Sequence, residues 1–307
     1  MTDTTTNRYM NYSEENTQVQ RIALLVEYCG SVFHGSQFQP QQATVQGSLE
    51  NALQQLGLVD ASAVSFASRT DAGVHALGQV AHFDVLPDAL ENIPDLASAL
   101  NAVLPDSISV RDVHLGLERT FNSRRDAVAK WYRYKIYNSR NRSVWALRNA
   151  ALLHRTELDA ERMNQAASQL LGEHDFTSFK DRSPEIDTLC DIQHVQVVRD
   201  GDMIILDIAA NRFLYKMVRN LVAQLMLIGG DTRHPLSHEN TTLLDLIHSR
   251  DRLKVPPGAP AEGLTLMAVS YKSSFKLFEK DVYVQQLKNI LKPMESSQNE
   301  NIFRKAS

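Results

Sequence analysis

Arg69-Thr70-Asp71-Ala72-Gly73-Val74-His75 is the stretch on which the rest of this 307-residue chain is organised. A short apolar run, Ala63 to Ala67, precedes it, and an alternating run, Gln79 to Val85, follows it. Seven mostly small or polar residues between two strand-like runs predict a loop at the edge of a sheet. Glycine and alanine leave room for a ligand to approach the backbone, while arginine, threonine, aspartate and histidine supply the chemistry. An aspartate in a turn commonly caps backbone N–H groups. A guanidinium two residues away favours instead a carboxylate that is held ionised and oriented. Asp71 is therefore the candidate catalytic group.

The elements around the loop follow an ordered pattern. Ile22 to Tyr28 reads as a strand. Thr44 caps a helix with apolar positions at Val45, Leu49, Leu53 and Leu56. Val64 to Ala67 and Gln79 to Val85 are strands on either side of the loop. Asp88 to Leu104 is a helix interrupted near Pro94, and Ile108 to Leu115 is a strand. The order is β-α-β-β-α-β, and the second half repeats it. Its elements are a strand at Ala129–Asn138, a helix at Asp159–Leu171, and a hairpin turning at Asp200-Gly201. A helix at Phe213–Ile228, a short one at Leu243–His248 and a strand at Leu264–Tyr271 complete it. The fold class is α+β, with two tandem ferredoxin-like halves. The expected divisions are a tail over 1–20, units over 21–118 and 119–272, and an extension over 273–307. In that extension Val282, Val284, Leu287, Ile290 and Leu291 can share one face of a terminal helix.

Composition narrows the function. Apolar residues make up 43% of the chain, enough for a real core. No apolar run approaches the length of a membrane span. Cys29 and Cys190 are the only cysteines and lie far apart, which points to a reduced, cytoplasmic protein without disulfides or structural zinc. No acidic or histidine cluster has metal-ligand spacing, so no metal site is expected. The net charge of −4 is unevenly spread. Arg119 to Arg148 holds nine Lys/Arg against the single acid Asp126, whereas Asp84 to Asp106 holds five acids and no base.

Two further clusters lie in the second half. In Lys130-Trp131-Tyr132-Arg133-Tyr134-Lys135-Ile136-Tyr137, strand alternation puts Tyr132, Tyr134 and Ile136 on one face. Trp131, Arg133, Lys135 and Tyr137 take the other. Interleaved cations and rings suit phosphates and flipped bases. The plainer alternative is a half-buried strand with a solvated basic face. Arg212, Lys216 and Arg219 are expected on neighbouring turns of one helix, at the end where cations are least favoured unless an anion binds.

Taken together, these segments resemble the tRNA pseudouridine synthase A family. The likeness is carried by Ser68 to Ala76 with Gly78 to Phe83 behind it, and by Tyr132-Arg133-Tyr134. Gly172 to Phe179, Met217 to Asn220 and Ala261 to Leu264 extend it. It implies a homodimeric, cofactor-free enzyme of two ferredoxin-like halves with antiparallel sheets and a basic cleft between them. The implied activity isomerises uridine to pseudouridine at positions 38–40 of tRNA, in the anticodon stem-loop. By position, Asp71 matches the catalytic aspartate and Arg69 its neighbouring arginine. Arg219 matches the arginine paired with that carboxylate, Tyr132 the tyrosine stacking on the target base, and Leu264 the apolar wall of the pocket. The candidate substrate-binding set is Tyr132, Leu264, His75, Arg133 and Arg212. Cys29, Ser36 and Ser68 stand where the family usually has Asp, Trp and Gly. Two other classes fit the residues less well. A pure RNA binder has no need of a carboxylate beside phosphates, and a glycoside or nucleoside hydrolase generally wants two acids.

Overall fold

A computed structural model describes residues 19–58, 61–148, 151–182, 187–231 and 241–291. The terminal tails, 1–18 and 292–307, lie outside the described residues.

The first half has β1 (Gln20–Tyr28), α1 (Val45–Gln55), β2 (Ser65–Phe66), β3 (His75–Val85), α2 (Leu96–Val103) and β4 (Ile108–Leu117). Thr44 caps α1 by accepting from Gly47 N at 3.2 Å, and Val45, Leu49, Ala52 and Leu53 form its buried stripe. Pro94 does separate two pieces, a 3₁₀ turn at Pro87–Leu90 and α2, whose N-cap is Asp95. The second half begins with β5 (Ala127–Asn138), a short α3 (Val144–Arg148) and β6 (Leu152–His154). It continues through α4 (Ala160–Ala167), β7 (Gly172–Asp175), β8 (Leu189–Asp200), β9 (Met203–Ala210), α5 (Met217–Ile228), α6 (Leu243–Ser249) and β10 (Leu264–Tyr271).

Strand order confirms the repeat. The first half runs β4-β1-β3 with β2 outside β3, and the second runs β10-β5-β9-β8 with β7 beyond. Numbered within each half, both orders are 4-1-3-2. The expectation of separate antiparallel sheets needs one correction, because the halves join edge to edge into a single ten-stranded sheet. The seam is a short parallel pairing of β10 with β3, Thr265 opposite His75 and Leu266 opposite Ala76. It forms because β2 covers only the far end of β3, opposite Ala81 and His82, and leaves the near end open. Gly78 sits where the two strands approach. A Cβ there would lie 2.5 Å from Met267 O, closer than real side chains come. The loop 67–74 emerges at this seam, between the point where β2 ends and β10 begins.

One apolar core runs through both halves, with Ile22 to Val26 of β1 wholly enclosed. The segment after β10 belongs to it as well. A terminal helix, α7, covers 282–291 of the described residues, and Leu277, Phe278, Val284 and Leu287 are buried. Ile290 and Leu291 pack partly against the core, whereas Val282 is half exposed and off that face. Asp281 caps the helix and pairs with Arg111 of β4 at 2.5 Å.

Candidate active site at the seam of the two halves

The loop carrying Asp71 is held from several directions. Tyr28 of β1 meets the Thr70 hydroxyl at 2.8 Å. Ser36 brackets Thr70, its hydroxyl accepting from Thr70 N at 2.9 Å and its own N–H donating to Thr70 O at 3.1 Å. The Gln79 amide clasps the Ser68 backbone, accepting from its N–H at 3.2 Å and donating to its carbonyl at 2.8 Å. A tight turn closes with Val74 N donating to Asp71 O, and Gly73 supplies its φ of +85°. These bonds spend the backbone's polar groups on fixing the loop and leave the Asp71 side chain directed elsewhere.

Asp71 Oδ2 accepts from Arg219 Nη1 at 2.7 Å, with both side chains largely shielded. Arg219 is fixed in turn. Its Nε donates to Ala259 O at 2.7 Å, and Ala259 N returns a bond to Arg219 O. Gly258 lets that segment pass close, because a Cβ there would meet Asn220 Oδ1 at 2.7 Å and Arg219 Cβ at 3.2 Å. Arg69 lines the same cavity and is exposed, but the ion pair to Asp71 is made by Arg219.

The cavity at the seam has a volume of about 860 Å³. Tyr132, Phe213 and Leu264 form part of its apolar wall. The Tyr132 hydroxyl meets Ser68 Oγ at 2.8 Å, and Phe213 packs edge-on against its ring at 5.2 Å between centroids. Burial raises the Tyr132 phenol well above its ordinary pKa, so it stays protonated. Among the described residues, seven cations line the cavity, Arg69, Arg124, Arg125, Lys130, Arg212, Lys216 and Arg219, against one carboxylate, Asp71. Such a chamber attracts anions and places a lone carboxylate among them.

Three sequence-based expectations shift. Arg212, Lys216 and Arg219 do not share a helix side, because α5 starts only at Met217. Lys216 takes φ +58°, which stops the helix from extending back, and Asp181 grips its ammonium at 3.0 Å. Residues 211–216 instead run irregularly along the cavity, still placing Arg212 and Lys216 on its wall. Arg133 is not brought to the cavity. It lies on the opposite face of β5, doubly bonded to Asp207 directly across on β9, with the Trp131 indole donating to the same carboxylate. The Arg133 charge is thus neutralised within the sheet. His75 is also away from the cavity lining, its Nδ1 accepting from Gly30 N at 3.1 Å. Burial lowers its pKa, which suits a neutral acceptor.

Arg124, Arg125 and Lys130, read in the sequence only as part of a basic stretch, line the cavity too, as does Asn122, which the sequence did not single out. Lys130 shares parity with Tyr132 on β5, a signal that was available. Behind α5, Asp181 also binds Arg252, and Asn220 ties the helix to Phe179 O at 2.7 Å. Nothing local marks those partners. Among the described residues, no group of three or more His, Cys, Asp or Glu could hold a metal ion.

A family described as tRNA pseudouridine synthase matches residues 24–115 and 166–272. The tRNA pseudouridine synthase A of Salmonella paratyphi B is 39% identical over 265 residues, covering 86% of this chain and 94% of that protein. That of Salmonella newport matches to the same extent. Among solved structures, a Cbf5-Nop10-Gar1 complex shows a loose likeness, with TM-score 0.30 and 12% identity over 76% of this chain and 60% of the other. The chain belongs to the tRNA pseudouridine synthase family, a family of isomerases that act on uridine in RNA.

Proposed function

We propose that the protein converts uridine to pseudouridine at positions 38, 39 and 40 in the anticodon stem-loop of tRNA, with Asp71 acting at the ribose. One observation carries this reading: a carboxylate bonded to Arg219 at 2.7 Å, the one carboxylate among the described residues of a chamber lined by seven cations, aromatic rings and aliphatic side chains. The reaction breaks the N1–C1′ bond, and uracil departs with the electron pair. Asp71 either bonds to C1′ or takes the C2′ proton. The base turns within the pocket and C5 joins C1′ as the bond to Asp71 breaks or the C2′ proton is returned; the C5 proton is lost to solvent and N1 takes one up. Substrate and product have the same atoms and oxidation level, so one carboxylate suffices.

The walls support each step. Extracting a base from its stack costs a few kcal/mol, which stacking at Tyr132 and phosphate contacts offset. Leu264 and Phe213 keep the detached uracil from water. Arg219 orients the carboxylate, and Arg69 adds an exposed cation to the cavity wall. A hydrolase reading lacks the second acid that flanks a scissile glycosidic bond. The family likeness extends the proposal to a homodimer working in the cytoplasm, which sedimentation and cell fractionation test.

The deciding experiment uses unmodified tRNA carrying tritium at uracil C5. Release of tritium by the protein, and not by Asp71→Ala, supports isomerisation. Retained label with tight binding would leave a binder, and free uracil would leave a hydrolase.

A further inference from the structure

Lys130 is 7% exposed, and its ammonium donates to one partner, Ala67 O, at 2.7 Å. A buried ammonium has three protons to place and ordinarily takes a carboxylate partner. Among the described residues, the one carboxylate lining this cavity, Asp71, is taken up by Arg219. The charges acting most strongly on Lys130 are of its own sign, the guanidiniums of Arg124 and Arg212. Both line the same cavity. Arg124 is placed by a turn in which Asn122 Oδ1 accepts from the N–H groups of Arg124 and Arg125, each at 3.0 Å. Arg212 reaches Asp187, a carboxylate about two-thirds exposed, through one nitrogen. Burial with the two guanidiniums lowers the Lys130 pKa to about 8.

An enclosed ammonium whose one hydrogen-bond partner is a carbonyl, in a cavity also lined by Arg124 and Arg212, costs stability in the free protein and is relieved by an anion. We propose that Lys130, Arg124 and Arg212 form a subsite for a single RNA phosphodiester, with Lys130 as its buried anchor. The placement fits the substrate. Lys130 and Tyr132 point to the same side of β5 two residues apart, about 6.5 Å along the strand. A phosphodiester next to a base stacked on Tyr132 lies within that reach. Because Ala67 precedes the catalytic loop, the same ammonium also ties phosphate capture to the position of Ser68 to Asp71. The inference rests on the proposed RNA substrate but not on turnover.

The test is a binding experiment with a synthetic uridine-containing RNA stem-loop. Single phosphodiesters are replaced one at a time by uncharged methylphosphonates, and binding is measured for wild type, Lys130→Met and Lys130→Arg. Wild type is expected to lose at least about tenfold in affinity at one linkage, as charge-assisted contacts do. Lys130→Met should bind the unmodified RNA more weakly and be indifferent to replacement of that linkage, the mark of direct coupling. Its plot of log affinity against log salt should be shallower by about 1. Lys130→Arg should restore sensitivity at that linkage. If Lys130→Met does not fold, Arg124→Gln and Arg212→Gln carry the same coupling test. A folded Lys130→Met that loses the same affinity at every linkage, with an unchanged salt slope, overturns the subsite and leaves Lys130 as a brace for Ala67. Tritium release by wild type is scored separately, so failure of the isomerase reading is distinguishable from failure of the subsite.

Discussion

Arg219 and Asp71 stand 148 residues apart in the chain, yet Arg219 Nη1 donates to Asp71 Oδ2 at 2.7 Å across the seam of the sheet. Arg219 simultaneously holds Ala259 O through Nε. A guanidinium can make both bonds in one plane, and an ammonium cannot. Arg219→Lys should therefore lower kcat by about a hundredfold or more, the usual consequence of losing one oriented charged donor. Tritium release in single turnover checks it, with little change expected in RNA affinity.

Gly258→Ala tests the same relationship from behind. The added methyl would sit 2.7 Å from Asn220 Oδ1 and 3.2 Å from Arg219 Cβ, both near the start of α5. Arg219 must shift to accommodate it. The expected outcome is a fall in kcat of tenfold or more, with a smaller proportional change in thermal midpoint. A variant with wild-type kcat would show that the Arg219 backbone tolerates displacement.

The Ser68–Tyr132 hydrogen bond gives a third prediction. Ser68→Ala leaves the buried Tyr132 hydroxyl without its 2.8 Å partner. Leaving such a group unsatisfied costs about 1–3 kcal/mol. Urea unfolding should show that loss, and Tyr132→Phe in the Ser68→Ala background should recover most of it.

Stability should fall in mild acid. His82 is enclosed, with Nδ1 accepting from Ser123 N at 3.3 Å and sharing a bond with Ser123 Oγ at 2.8 Å. Burial, aided by Arg21, lowers its pKa to about 4. The unfolded chain binds the proton near 6.5, so protonation favours unfolding. Stability from this group is complete above about 6.5 and is lost progressively as pH falls toward 4. His75 and His194 are lowered in the same direction by burial. His82→Gln should thus flatten, without abolishing, the decline in thermal midpoint between pH 6.5 and 4.

The terminal segment should matter for stability rather than chemistry. Asp281 caps α7 through Tyr283 N and Val284 N and pairs with Arg111, whose guanidinium lies over the Tyr283 ring. Asp281→Ala should cost about 1 kcal/mol from the cap alone and more from the lost ion pair with Arg111. Urea unfolding measures it, and kcat should be unchanged.

Much of this was legible because it is local. Helix α1 announces itself through Thr44 and an apolar residue on every turn. The hairpin of β8 and β9 follows from Asp200-Gly201, with Gly201 at φ +56°. The start of α5 was not legible, because Lys216 turns left-handed against its intrinsic preference while Asp181 holds it. Nor was the fate of Arg133. Alternation assigned its face correctly, but only pairing with β9 reveals Asp207 opposite.

The amino-acid order alone set the β-α-β-β-α-β sequence of elements in each half and the loop bearing Asp71, since periodicity, caps and turns act over a few residues; the 4-1-3-2 strand order came from the pairing. Tertiary structure decided which arginine holds Asp71, that the halves share one sheet, and which cations face the cavity. Those outcomes depend on β10 finding the open end of β3, a contact between segments almost two hundred residues apart. No local preference encodes such a pairing; it follows from edges left uncovered once each half has folded.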